Sequence, residues 1–330
     1  MSLMVQPEIA NFKTVTCPSY AFLIHHPSKN RKLVFDLGVR KNWEESAKPI
    51  ADRIKKGGWT VTVEKDVAQT LEENGVPTTE IEAVIWSHYH WDHTGDPSRF
   101  PGSTSLIVGP GFKGRFPSGY PTKADAPVRE DAWEGRELRE ISFQDSNVKI
   151  GRFNALDYFG DGSFYLLDTP GHLLGHLCGL ARTTEDTFVF MGGDAAHHAG
   201  EIRPTEWDPL PSHIKLTPNP RSFPPVCPGE LLQRYVHPEK SVTKPFYSAA
   251  LGFNEDHDVA EWTIEGVEEF DADENVLVVI AHDASLKDVV NFFPKPANEW
   301  RAKDWGKNGR WRFLGDFSEG LDMARKDGKL

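Results

Sequence analysis

Apolar positions along the chain fall in short runs separated by turn residues, and most runs are of strand length. "YAFLIH" (20–25) reads as a buried strand, "HPSKN" as a turn and "KLVFD" (32–36) as the returning strand, closed by Gly38. A polar region with helical character follows, including Asp66 to Asn74, and stops at "NGVP". "EAVIW" (82–86) is short, apolar and β-branched, the mark of a fully buried strand, and "TSLIVG" (104–109) repeats the pattern. Residues 137–141, 149–153 and 164–168 predict antiparallel strands linked by Gly-rich turns such as "FGDGS". "LCGLAR" and "TFVFM" follow, and Val276 to Ala281 form a six-residue apolar run. The chain is of α/β class, and several strands end directly in His or Asp. Polar groups beyond the carboxyl ends of strands are where open α/β folds gather their sites.

Two segments break this rhythm. Pro204 to Pro245 hold ten of the 24 prolines, with Trp207, Phe223, Tyr235 and His237 among them. A loop of that length inside a compact domain predicts a lid or substrate loop, with a rigid excursion packed on itself as the alternative. From Lys295 the tail carries nine Lys/Arg against six Asp/Glu, plus Trp300, Trp305 and Trp311. It reads as an amphipathic closing segment, since an excess of +3 is too small for a nucleic-acid arm.

Composition narrows the partners. Hydrophobic residues at 38% suffice for a packed core, and a net charge of −12 argues against nucleic acid or an anionic membrane. No apolar run approaches the roughly 20 residues that span a bilayer. "MSLMVQPEIA" lacks a basic start followed by an apolar run, and Cys17, Cys178 and Cys227 form neither a disulfide framework nor a zinc ribbon. The expected compartment is reducing and cytoplasmic, the expected partner a small molecule, and the expected self-association, if any, a homodimer.

The chemistry concentrates in "WSHYHWDHTG" (86–95), which spends three of the chain's 13 histidines and an aspartate within six positions. His88 and His90, two apart on an extended segment, point to one side and can share a metal. Asp92 and His93 follow a turn later and can reach a second ion. Zinc prefers imidazole and carboxylate, and a catalytic zinc keeps one position for water, so two ions need more than these four donors. His172 in "TPGH", Asp194 in "GGDA" and His282 in "AHD" each stand just beyond an apolar strand and meet that demand.

"HYHWDH", "TPGHLLGH", "GGDA" and "AHD", in this order, resemble the metallo-β-lactamase superfamily over residues 20 to 285. The resemblance implies an αββα sandwich, a single domain at 14–292 with the 293–330 segment packed on it. It implies two Zn²⁺ per chain: His88, His90 and His172 on the first, Asp92, His93 and His282 on the second, and Asp194 bridging both. His176 is then structural, and Asp36 in "FDLG" resembles a supporting position behind the ligands. The reaction implied is hydrolysis by a metal-bridging hydroxide, with Asp92 passing a proton to the leaving group.

Within the superfamily the motif order looks most like the lactonase branch, and "DAAHHAGEIRP" resembles fungal lactam hydrolases and polyketide thioesterases. Lactonases of that branch place a tyrosine where this chain has His197, so His197 or His198 is the candidate substitute donor. Arg203 is placed to meet a substrate carboxylate or to pin its loop. Trp207 and Phe223 are expected to roof the metals and Trp91 to line the mouth. The expected activity is opening of a small, flat cyclic ester or amide; the competing readings are a thioesterase and a mononuclear-iron oxygen-dependent enzyme.

Overall fold

The computed structural model describes residues 3–9, 12, 15–144, 146–216, 223 and 225–327. They form two compact units, one spanning 19–181 and the other built from the two ends of the chain, 1–18 and 182–330.

In the 19–181 unit, Phe22–His26 and Arg31–Phe35 make an antiparallel hairpin, and Arg31–Phe35, Ile81–Ile85, Ser105–Val108 and Leu138–Glu140 continue in parallel. Parallel neighbours need crossovers, and the helices Lys48–Gly57 and Val67–Glu73 supply the first. Lys48–Gly57 buries Ile50, Ala51 and Ile54, one face at helical spacing, and ends at Gly58 in the left-handed region. Val67–Glu73 begins at Asp66, whose carboxylate accepts from the Gln69 N–H. Ile81–Ile85 is buried at four of five positions, as its unbroken apolar run predicts.

Four further strands, Val148–Ile150, Phe153–Asp157, Phe164–Asp168 and Leu177–Arg182, run antiparallel in sequence order. The single strand expected at 149–153 is corrected here to a hairpin: Gly151 takes φ +56°, and the chain reverses between Ile150 and Phe153.

In the other unit, Phe188–Met191 and Val276–Val279 pair in parallel, Met191 opposite Val279. The helix His257–Asp271 runs between them in sequence, opened by the Asp256 carboxylate on the Val259 N–H. Its buried Ala260, Ile264 and Val267 repeat at i, i+4, i+7. This helix is absent from the expectations above, although the Asp256 cap and that spacing were legible.

The Pro-rich segment is folded structure, nearer the second of its two readings, although it packs on other parts of its unit as well as on itself. It contains the short strands His213–Ile214 and Cys227–Pro228 and the helix Gly229–Tyr235. Leu210, Ile214, Phe223, Cys227 and Leu232 pack with Val5, Phe246, Phe313 and Phe317 in one buried cluster. The physical reason is that these apolar side chains are used in this core, although Trp207, Val226 and Val242 stay exposed. Residues 217–222 and 224, within the segment, lie outside the described residues. Among the described residues no helix is long and apolar enough to cross a membrane.

Candidate metal centre

In the 19–181 unit the site is built behind two parallel strands. Phe35 lies opposite Ile85, so Asp36 and Ser87 leave the sheet side by side, and the Asp36 N–H donates to the Ile85 carbonyl at 2.8 Å. Asp36 sits at φ +57°, a left-handed conformation that Asp tolerates better than most side chains. Its Oδ1 accepts from the Ser87 N–H at 2.7 Å, and its Oδ2 accepts from Ser87 Oγ at 2.7 Å and from His93 Nδ1 at 2.9 Å. Ser87 Oγ has given its only proton to Asp36, so at 3.0 Å it accepts from His88 Nδ1. One buried carboxylate thereby keeps the Nδ1 proton in place on both rings and leaves Nε2 of His88 and His93 to face a metal.

Between them the chain turns through the short helix Trp91–Thr94, held by the Trp86 indole N–H on the Thr94 carbonyl. Gly95 closes it at φ +48°, where a Cβ would fall 2.3 Å from Leu37 Cβ. Asp92 and His93 stand on this helix. His172 comes from the loop joining Phe164–Asp168 to Leu177–Arg182. That loop is seated on Gly109, whose Cβ would lie 1.8 Å from the Gly175 carbonyl oxygen.

These elements gather four imidazoles. Ring centroids of His88 lie 4.7 Å from His90, 4.9 Å from His172 and 4.2 Å from His93. His172 Nε2 and His90 Nδ1 are 3.1 Å apart. Two nitrogens bound at about 2.05 Å to a tetrahedral zinc lie about 3.3 Å apart, so the pair has the spacing of ligands sharing one ion. The residues fit a metal. His176 Nδ1 donates to the Thr169 carbonyl at 2.9 Å, a bond internal to the loop that serves its structure.

In the other unit, register does the corresponding work. Met191 pairs with Val279, so residues three further on in each chain, Asp194 and His282, emerge together. The Gly192 N–H on the Val279 carbonyl and the Ala281 N–H on the Gly193 carbonyl extend the pairing. His282 Nε2 lies 3.1 Å from Asp194 Oδ1. Its Nδ1–H donates to the Pro18 carbonyl at 2.7 Å, fixing the tautomer that offers Nε2 to a metal. His197 Nε2 lies 3.4 Å from Asp194 Oδ2, and its ring stands 6.1 Å from that of His282.

A profile of the metallo-β-lactamase superfamily matches residues 14–244. The chain belongs to the metallo-β-lactamase superfamily. It is a metal-binding hydrolase of that superfamily, with the mixed α/β fold expected for it. The gamma-lactamase FDB1 of Fusarium pseudograminearum is 46% identical over all of this chain and 82% of its own length. The metallo-hydrolase mfmC of Annulohypoxylon moriforme is 48% identical over 97% of this chain and 84% of its own. Among solved structures, AiiA of B. thuringiensis carrying N-decanoyl-L-homoserine superposes with a TM-score of 0.53 at 15% identity, over 86% of this chain and 88% of that one. At that identity the likeness is one of fold.

Of the expected substrate contacts, His198, Phe223 and Trp91 are corrected to packing positions, and Arg203 takes the second of its two readings. His198 is buried among Phe12, Tyr247, Phe313 and Phe317, accepts the Gly200 N–H and pairs with Asp316 at 3.1 Å. Arg203 is buried in a two-pronged pair with Asp271 at 2.7 and 2.6 Å and also donates to the Arg310 carbonyl, so it pins its loop. Burial opposes charge on both partners, yet each outweighs it for the other: Asp271 is held below the usual carboxylate range and Arg203 above its ordinary value. Phe223 belongs to the buried cluster described above. Trp91 stacks on Trp59 and packs against Ala47, Ile50 and Ile54, which is a packing role. Trp207 is 61% exposed. The residues missed by sequence are Ser87 and Pro18: one is a hydroxyl relay, the other a backbone carbonyl 264 positions from its histidine. Only Ser87, adjacent to the first ligand, carried any signal.

Proposed function

We propose that the chain opens a small cyclic amide or ester, a γ-lactam in the first place, using two zinc ions. His88, His90, His172 and Asp194 would hold one ion, and Asp92, His93 and His282 would hold the other. The observation that carries the reading is the oriented donor set: imidazoles whose other nitrogens are tied to Asp36, Ser87 and Pro18. Identity of 46% to a named gamma-lactamase along the whole chain supports the lactam.

Zinc, when bound, makes water nucleophilic near neutral pH and polarises the scissile carbonyl. Asp92 takes the proton that water loses on adding to the carbonyl carbon and hands it to the departing nitrogen, so the C–N bond breaks to an amino acid. His197 donates a hydrogen bond to the carbonyl oxygen as negative charge grows there, an interaction stronger in the transition state than in the substrate. The substrate is a small molecule, neither nucleic acid nor membrane being suited to a net charge of −12. Three widely spaced cysteines, Cys17, Cys178 and Cys227, support a reducing, cytoplasmic setting.

The test is a panel on zinc-reconstituted protein: γ-lactams, γ-lactones and an S-acyl N-acetylcysteamine thioester. Turnover of the rings that disappears after chelation and returns with two equivalents of zinc is expected. Cleavage of the thioester alone would replace this reading by a thioesterase. His282→Ala should lower bound zinc from about two to about one per chain, read by elemental analysis.

A further inference from the structure

Glu201 is buried, and it stands seven residues beyond Asp194. Its Oε2 accepts the backbone N–H of His197 at 2.6 Å and of His198 at 3.0 Å. Its Oε1 has no hydrogen-bond partner among the described residues. A carboxyl removed from water costs several kcal/mol unless it is compensated, and among the described residues the hydrogen bonds it accepts come from two consecutive amides. The same turn is closed from the other side: the Glu201 N–H donates to the His198 carbonyl, and His198 Nδ1 accepts the Gly200 N–H at 2.9 Å. His198 is in turn fixed by Asp316 and four aromatic rings. The backbone at 197 is therefore clamped, and the side chain it carries is the imidazole 3.4 Å from Asp194.

We propose that Glu201 is a positioning residue for the reaction: its carboxyl holds the 197–198 amides so that the His197 imidazole is fixed beside Asp194. A hydrogen bond made away from water is stronger than one in water, and preorganisation of a donor is worth more than its presence. Releasing the turn leaves the substrate bound much as before and weakens the contact that forms only as the carbonyl is attacked. The inference rests on the assignment of His197 as the carbonyl donor.

The experiment is a double-mutant cycle on the zinc-loaded full chain, Glu201→Ala, His197→Ala and both, with dihydrocoumarin as the probe lactone. Zinc content and melting temperature are read for each variant. The expected result is a loss of kcat of about 10- to 100-fold in Glu201→Ala with KM within about twofold. In the His197→Ala background the same change costs less than about twofold. Glu201→Gln keeps a carbonyl oxygen for both amides and should recover most of kcat. Equal losses in both backgrounds, or a fall in zinc content that accounts for the loss, would overturn the inference. Wild-type turnover by His197→Ala would instead remove His197 from the reaction, a failure visible in that single variant before the cycle is closed.

Discussion

A histidine in this chain can offer a metal one nitrogen because something else has claimed the other. Asp36 does this for His93 directly and for His88 through Ser87, and it does so with all of its acceptor capacity on one side. Asp36→Asn keeps the left-handed backbone but turns an NH₂ group toward two donors, Ser87 Oγ and His93 Nδ1. Zinc affinity should fall about 10- to 100-fold, measured by competition with a chromophoric chelator; unchanged affinity would show that the two rings need no support. In the proposed reaction Asp92 has a different part, that of moving a proton from the first turn of a four-residue helix. Asp92→Asn should fold with a near-native melting temperature and lose turnover by about 10²- to 10⁴-fold, the usual worth of a positioned acid–base group. The ligand types were readable from "HYHWDH" because imidazole and carboxylate at that spacing have little other use. Ser87 and Pro18 were not, since a hydroxyl relay and a main-chain carbonyl carry no distinctive letter.

At the scale of elements, strand register and loop seating do the aiming. Asp194 and His282 meet because both stand three residues past paired positions of parallel strands. The histidine of "TPGH" reaches His90 because its loop rests on a backbone with no side chain, at Gly109. Gly109→Ala puts a methyl 1.8 Å from the Gly175 carbonyl oxygen, so the loop must lift and carry His172 with it. A loss of about 1–3 kcal/mol of stability is expected, together with weaker zinc binding; denaturant unfolding and metal titration measure the two. The strands were legible because buried runs of Val, Ile, Leu and Phe have the length and turn punctuation of strands. The helix His257–Asp271 was legible too, in its Asp256 cap and in the i, i+4, i+7 spacing of Ala260, Ile264 and Val267.

For the molecule as a whole, the ends of the chain and the Pro-rich segment share one core, with Val5, Phe223, Leu232, Phe317 and Leu321 in the same cluster. Arg203 belongs to that framework, since its guanidinium is closed on Asp271 and the Arg310 carbonyl. Removing one partner of a buried pair leaves the other charged and unmatched. Arg203→Ala should cost about 3–5 kcal/mol in chemical denaturation, with KM unchanged in whatever protein still folds. The pair also sets a pH dependence. Burial pushes the Asp271 carboxyl up, and Arg203 more than reverses it, leaving it depressed in the folded state. A depressed acid contributes stability above its unfolded pKa of about 3.9 and loses it as pH falls through the folded value. Wild type should therefore destabilise below about pH 4 more steeply than Arg203→Ala does, read as melting temperature against pH.

The amino-acid sequence by itself determined the α/β class, most of the strands, the superfamily and the identities of the candidate ligands, because these depend on local periodicity and on residue types in order along the chain. Tertiary structure alone decided which polar residues face a reaction and which are consumed by the framework. Arg203, His198, Phe223 and Trp91 look like substrate contacts when only their neighbours in sequence are known. Their surroundings, Asp271, Asp316, Trp59 and the buried cluster around Phe223, come from distant positions, and no local pattern encodes a pairing made by packing.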